Sequence, residues 1–123
     1  MTDVKIPVWI DTDTASDDAV ALIMALRSSQ HEVVGISAVA GNVPLEMAER
    51  NARYTVELCG AKHVPVYAGI AKPLLREQSD AYFFHGPDGM GGMNYPEPTI
   101  ALQTEHAVHA LIDAVRKFPG QLP

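Results

Sequence analysis

Apolar positions recur along this chain in two rhythms, one suited to strands and one to helices. Residues 4–10, Val4-Lys5-Ile6-Pro7-Val8-Trp9-Ile10, are a short run rich in β-branched and aromatic side chains, which predicts a strand. Residues 17–28 hold good helix formers in Ala21, Leu22, Met24, Ala25 and Leu26. Their apolar residues run almost all round, so this helix is expected to be buried on more than one side. Residues 32–40 are nearly continuous in apolar or small residues, as expected of a strand covered on both faces. A second helix is expected over residues 44–59, with Pro44 at its first position and Gly60 as its C-terminal cap. Leu45, Ala48, Ala52, Val56 and Cys59 recur along it at helical spacing, and Glu49 and Arg53 form an i,i+4 pair expected on its outer side. Residues 64–69 read as a third short strand.

Beyond it the rhythm stops. Residues 70–98 are irregular and hold Pro73, Pro87, Pro96 and Pro98 with Gly86, Gly89, Gly91 and Gly92. Loops of that length in compact domains are functional or disordered. Thr104 is the expected N-cap of a last helix over residues 105–117, with Ala107, Val108, Leu111, Ala114 and Val115 as its buried stripe. The order strand, helix, strand, helix, strand predicts an α/β fold: one domain over residues 1–123 with a doubly wound, Rossmann-like, mostly parallel sheet.

Composition narrows the classes of function. The chain has 123 residues, 47% hydrophobic and 20% charged, which suits a globular domain with a real core. A net charge of −6 argues against a nucleic-acid partner, which calls for a basic stripe. No apolar run approaches the length of a membrane span. No secretory leader pattern is visible at the N-terminus, and Cys59 is the only cysteine, so a reducing cytoplasm is the expected compartment. Cys59 reads as a small core residue, and His106 and His109 as exposed or boundary residues.

The candidate chemistry lies in Asp11-Thr12-Asp13-Thr14-Ala15-Ser16-Asp17-Asp18, between the first strand and the first helix. Such turns lie at the carboxyl edge of a parallel sheet, where ligands bind. Four carboxylates this close repel one another unless a hard divalent cation or a substrate sits among them. Helix-dipole effects explain Asp17 and Asp18, with Ser16 as N-cap, but not Asp11 and Asp13. An EF-hand loop fails, because its last three required places hold Ala15, Ser16 and Leu22. A phosphatase of the haloacid-dehalogenase-like type would use Asp11 as nucleophile and Asp13 beside it, leaving Asp17 and Asp18 without a role. Asn42 ends the second strand on the same edge, where it is either a turn residue or a ligand contact. His85-Gly86-Pro87-Asp88-Gly89-Met90-Gly91-Gly92 lacks the Lys-Ser/Thr of a P-loop.

Three of these segments together resemble the nucleoside hydrolases of the inosine–uridine-preferring type. They are Asp11-Thr12-Asp13 followed by Asp17-Asp18-Ala19-Val20-Ala21-Leu22, Val39-Ala40-Gly41-Asn42, and His85-Gly86 through Gly91. The resemblance covers the whole chain but only the amino-terminal part of the family fold, because family members are more than twice as long. It implies calcium-dependent hydrolysis of the N-glycosidic bond of ribonucleosides, giving ribose and free base. It makes Asp13 the general base and a calcium ligand, and Asp18 a second calcium ligand. It turns Asp17 and Asn42 to the ribose, places His85 on the base side, and makes Asp11 a carboxylate that orients the ligands. It also implies homo-oligomers. The downstream part of the family, absent here, adds further calcium and ribose contacts, so a non-catalytic calcium- or ribose-binding domain is the alternative from another class. One departure stands out: the family has Pro-Gly where this chain has Thr14-Ala15, which raises the question of the turn's backbone dihedrals.

Overall fold

The computed structural model describes residues 4–79 and 82–123. Seven elements follow in order: β1 (Ile6–Thr12), α1 (Ser16–Leu26), β2 (His31–Ala38), α2 (Leu45–Leu58), β3 (Val66–Ala68), α3 (Tyr82–His85) and α4 (Ala107–Lys117). The three strands form one parallel sheet in the order β1-β2-β3. The expected α/β order and parallel pairing are therefore present. The third strand is shorter than its apolar run, and α3 arises inside the stretch expected to be irregular.

The two faces of the sheet differ. Leu22, Val33, Ile36, Ala52, Val56 and Val66 form the main core, with Ile10 packed against it. This is the side that α1 and α2 cover. Leu22 and Ile36 are fully buried, and each such side chain contributes roughly 1.5–3 kcal/mol. The pairing register slips between Val8 and Trp9, which pair with Val33 and Gly35. The irregularity lets Val33 and Ile36 both reach this core. On the other face Trp9 lies flat over Gly35, and a Cβ there would sit inside the indole. Trp9 stacks with Tyr67 across β2, with ring centroids 5.6 Å apart. Gly35 and Ser37 are the low positions of β2 that let the two rings meet.

Several expectations are corrected. Helix α1 is apolar nearly all round, yet Met24 is 71% exposed and Val20 is exposed too. Hydrophobic periodicity shows that a face is apolar, not what covers it. In α4 the buried residues are Ala107 and Ala110, while Val108 and Val115 are exposed. Small residues, rather than the β-branched ones, face the sheet and allow close approach. The N-cap of α4 is His106, not Thr104: its Nδ1 accepts the Val108 N–H at 3.1 Å. Ala15, not Ser16, holds the N-cap position of α1, with no side-chain cap.

The Glu49–Arg53 pair is not on the outer side. Both side chains are mostly buried, with Arg53 Nε 2.6 Å from Glu49 Oε2, and Arg53 Nη1 also donates to the Ile100 carbonyl at 2.9 Å. Chain returning across α2 covers them. It is held there by Arg50, paired with Glu97 at 3.0 Å, by the stacked rings of Tyr54 and Tyr95, and by Glu57, which accepts from the Thr99 N–H at 2.9 Å. The end of the stretch expected to be functional or disordered, residues 95–98, thus continues through Ile100 as a strap tied to one helix.

Candidate functional site

The acidic turn joins β1 to α1 at the carboxyl edge of the sheet. Thr12 and Thr14 are buried inside it, their hydroxyls 3.3 Å apart. The Thr14-Ala15 departure does not distort it: Ala15 has φ −108°, ordinary extended backbone. Among the described residues the only non-glycine with positive φ is Asn94. The glycine of the family pattern is not required here by a left-handed backbone.

The four carboxylates do not act as one cluster. Asp11 shares the sheet face of Trp9 and Ser37. The Ser37 hydroxyl donates to Asp11 Oδ1 at 2.5 Å and accepts from Trp9 Nε1 at 3.0 Å. Asp11 also lines a cavity of about 260 Å³ with Ser37, Val39, Ala107 and Leu111. Asp17 is exposed on the first turn of α1. Asp13 and Asp18 are the pair that meet.

Asp13 lies against the turn that follows β2. Its Oδ2 accepts the backbone N–H of Asn42 at 2.8 Å. A Cβ on Gly41 would collide with the Asp13 carboxylate, so glycine at that place leaves room for it. Burial works to raise the Asp13 carboxyl. The hydrogen bond with Asp18, the N–H groups of Asn42 and Asp13 itself, and the charge of His85 outweigh it and hold Asp13 below the usual range. Asp18 goes the other way, up to about 6, through burial first, then the hydrogen bond with Asp13 and the charges of Asp13 and Asp17. Below about pH 6 one carboxyl of the pair stays ionised while the other keeps its proton.

Asp18 Oδ2 is buried and has no hydrogen-bond partner among the described residues. An unpartnered acceptor beside a second carboxylate fits a hard divalent cation, which takes oxygen ligands. The pair supplies only part of such a shell. Among the described residues no group of three or more His, Cys, Asp or Glu is placed to hold a metal ion.

Two further expected residues sit nearby. Asn42 contributes its backbone N–H to Asp13, and its side chain is half-buried. His85 ends α3 and is only 7% exposed; its Nδ1 lies 3.0 Å from the hydroxyl of Ser16 on α1. The glycine-rich segment after it folds around Asp88. Asp88 Oδ1 accepts the N–H of Met90 at 2.9 Å and of Gly92 at 2.8 Å, and Oδ2 that of Asn94 at 2.8 Å. Burial tends to raise the Asp88 carboxyl, but these N–H donors hold it below the usual range. Gly86 and Gly89 both have positive φ, at 85° and 72°.

Ser16, Ser37, Asn51 and Asp88 also build this edge, and none stands out in the sequence as a site residue. Only Asp88 carries a local signal, an Asp ahead of Gly-Met-Gly-Gly that can gather backbone N–H groups. The partners of the other three are far away along the chain.

Comparison with known proteins shows the family and the fold. Residues 8–122 match the family described as inosine-uridine preferring nucleoside hydrolase. The inosine-uridine preferring nucleoside hydrolase of Leishmania major is 40% identical over 109 residues, 88% of this chain and 35% of that protein. The structure of a plant nucleoside hydrolase superposes with a TM-score of 0.91 at 33% identity, over 97% of this chain and 38% of that one. A purine-preferring ribonucleoside hydrolase from Gardnerella vaginalis gives 0.88 at 32% identity, over 94% and 38%. The chain thus spans between about a third and two fifths of the length of these relatives, and its fold is incomplete relative to theirs. With the matched segment covering nearly every residue, and the acidic turn at the same sheet edge that first suggested it, the chain belongs to the inosine-uridine preferring nucleoside hydrolase family.

Proposed function

We propose that the protein hydrolyses the N-glycosidic bond of ribonucleosides to ribose and free base, with calcium as its cation. Residues 1–123 are read as a single nucleoside-hydrolase-like domain. The observation that carries the reading is the Asp13–Asp18 pair, with a buried oxygen that has no partner among the described residues, in a chain of this family. Nucleoside hydrolases are metal-dependent in general. Asp13 and Asp18 would hold the cation, which supplies a bound water of lowered pKa.

The remaining chemistry belongs to the chain. Asp13 is the general base: its depressed pKa keeps it ionised, and the Asn42 N–H fixes the oxygen that does not take the proton. Cleavage passes through an oxocarbenium-like ribosyl cation, which carboxylates fixed beforehand stabilise. Asp17, exposed on the same turn, and the side chain of Asn42 bind the ribose hydroxyls. His85 stands on the base side. Asp11, held by Ser37, keeps the end of β1 in place. The haloacid-dehalogenase-like phosphatase reading is not favoured, because the family match points to another reaction. Homo-oligomerisation and a cytoplasmic location are part of the proposal; among the described residues no helix is long and apolar enough to cross a membrane.

The test is ribose release from inosine and uridine with and without a calcium chelator. Release that stops with chelator and returns with calcium supports the reading. Calcium and ribose binding without release would make this a binding domain, and phosphate release from phosphate esters would revive the phosphatase.

A further inference from the structure

Asn51 lies in the middle of α2 and is 7% exposed. Its amide nitrogen donates to two carbonyls at once, Thr14 at 3.1 Å and Asp88 at 3.0 Å. Thr14 belongs to the acidic turn, between Asp13 and Asp17. Asp88 is the hub of the glycine-rich loop, whose own carboxylate gathers three N–H groups. Both hydrogens of one amide are therefore spent on joining two loops that also approach at Ser16 and His85.

The junction is tight. At Gly89 a Cβ would stand 2.8 Å from Val43 Cγ1 and 3.2 Å from Asn51 Nδ2, on a backbone with φ +72° that disfavours any side chain. The loop therefore touches down on α2 beside Asn51, and the three residues from Asp88 back to His85 set where the imidazole reaches. Thr14 is wholly buried, so the acidic turn does not move without breaking the same amide contact.

We propose that Asn51 is a positioning residue. By holding Thr14 and Asp88 at one spacing from a rigid helix, it sets the distance between the Asp13–Asp18 pair and His85. The ribonucleoside reading enters only in naming what the two loops close around; the link between them stands on the geometry alone. A residue that merely fills the core would affect stability but leave His85 where it is. The positioning role moves His85 in a protein that is still folded.

The test uses the isotopically labelled chain and the ring-nitrogen resonances of His85. Ser16→Ala removes the hydroxyl partner and gives the reference signature of a released imidazole. Asn51→Asp keeps the shape of the side chain and loses both donors. The expected result is a folded Asn51→Asp protein whose His85 resonances shift toward those of Ser16→Ala. In the unsubstituted chain the Asn51 amide hydrogens should be slow to exchange. Gly89→Ala, which presses on the same amide from the loop side, gives the same comparison if Asn51→Asp does not fold, and is expected to shift His85 in the same direction. Unchanged His85 resonances in a folded variant, or an Asn51 amide that exchanges as fast as an exposed one, would overturn the proposal. Adding ribose separates the two readings. If no resonance responds to it, the ribonucleoside reading fails for this chain, while the His85 comparison still decides the role of Asn51.

Discussion

The acidic turn and the strap across α2 are both rich in charge, and they treat it in opposite ways. Along the strap each charged side chain that grips it has a partner: Arg53 with Glu49 and the Ile100 carbonyl, Arg50 with Glu97 and the Tyr95 carbonyl, Glu57 with Thr99. At the acidic turn two carboxylates face one another, and Asp18 keeps a buried oxygen without a partner among the described residues. The first arrangement is what a chain does to hold itself together. The second costs stability and makes sense only if something else arrives to relieve it. Folding and function can therefore be assigned to different regions of one small sheet, and each assignment can be broken separately.

The largest effect is expected at Asp13. Asp13→Asn should lower ribose release by at least about a hundredfold, the usual range for losing a general base, while thermal unfolding stays close to the parent. Near-normal turnover would remove Asp13 from its role. Arg53→Ala tests the other region. It strands the Glu49 carboxylate under the strap and should cost about 3 kcal/mol in denaturant unfolding, with calcium affinity retained in the folded protein. A loss of calcium binding greater than that of stability would show that the two regions are not separable.

Asp18 gives a pH test of the same contrast. Its folded pKa of about 6 lies above the ordinary 3.8, so the folded state binds the extra proton between those values. The contribution of Asp18 to stability is fully present below about 3.8 and is lost as pH rises through about 6. Asp13, with its lowered pKa, opposes this only below 3.8, as pH falls through its folded value. Asp18→Asn should therefore flatten the decline of unfolding temperature between pH 4 and 6, and should leave the protein more stable than the parent near neutrality in chelator. A decline of equal slope in the variant would contradict the assignment. The smallest effect is expected at Glu97, whose side chain is 70% exposed. Glu97→Ala should change stability by no more than about 0.5 kcal/mol, despite the visible ion pair.

What the sequence discloses follows the range of the interactions. Strand and helix periods are local, and the parallel βαβαβ order was legible from them. The acidic cluster between a strand end and a helix start was legible in the same way, but singling out Asp13 and Asp18 within it rested on the family resemblance. Glu49 and Arg53 were legible as a pair but not as a buried one, because what buries them arrives more than forty residues later, with Ile100. Asn51 gives no local sign of its two distant acceptors. Val108 and Val115 illustrate a related limit: an apolar stripe wider than the contact face does not say which of its residues meet the sheet. His106 displaced Thr104 as the cap because the helix starts two residues later than the nearest hydroxyl suggests, and an imidazole nitrogen can accept the same N–H.

Trp9 gives the acidic edge an optical handle. It is the only tryptophan in the chain, it rests on Gly35 against Tyr67, and its N–H leads through Ser37 to Asp11. Any event that pulls the end of β1 alters the hydrogen bond of a single indole, and intrinsic fluorescence then follows the site with no added label.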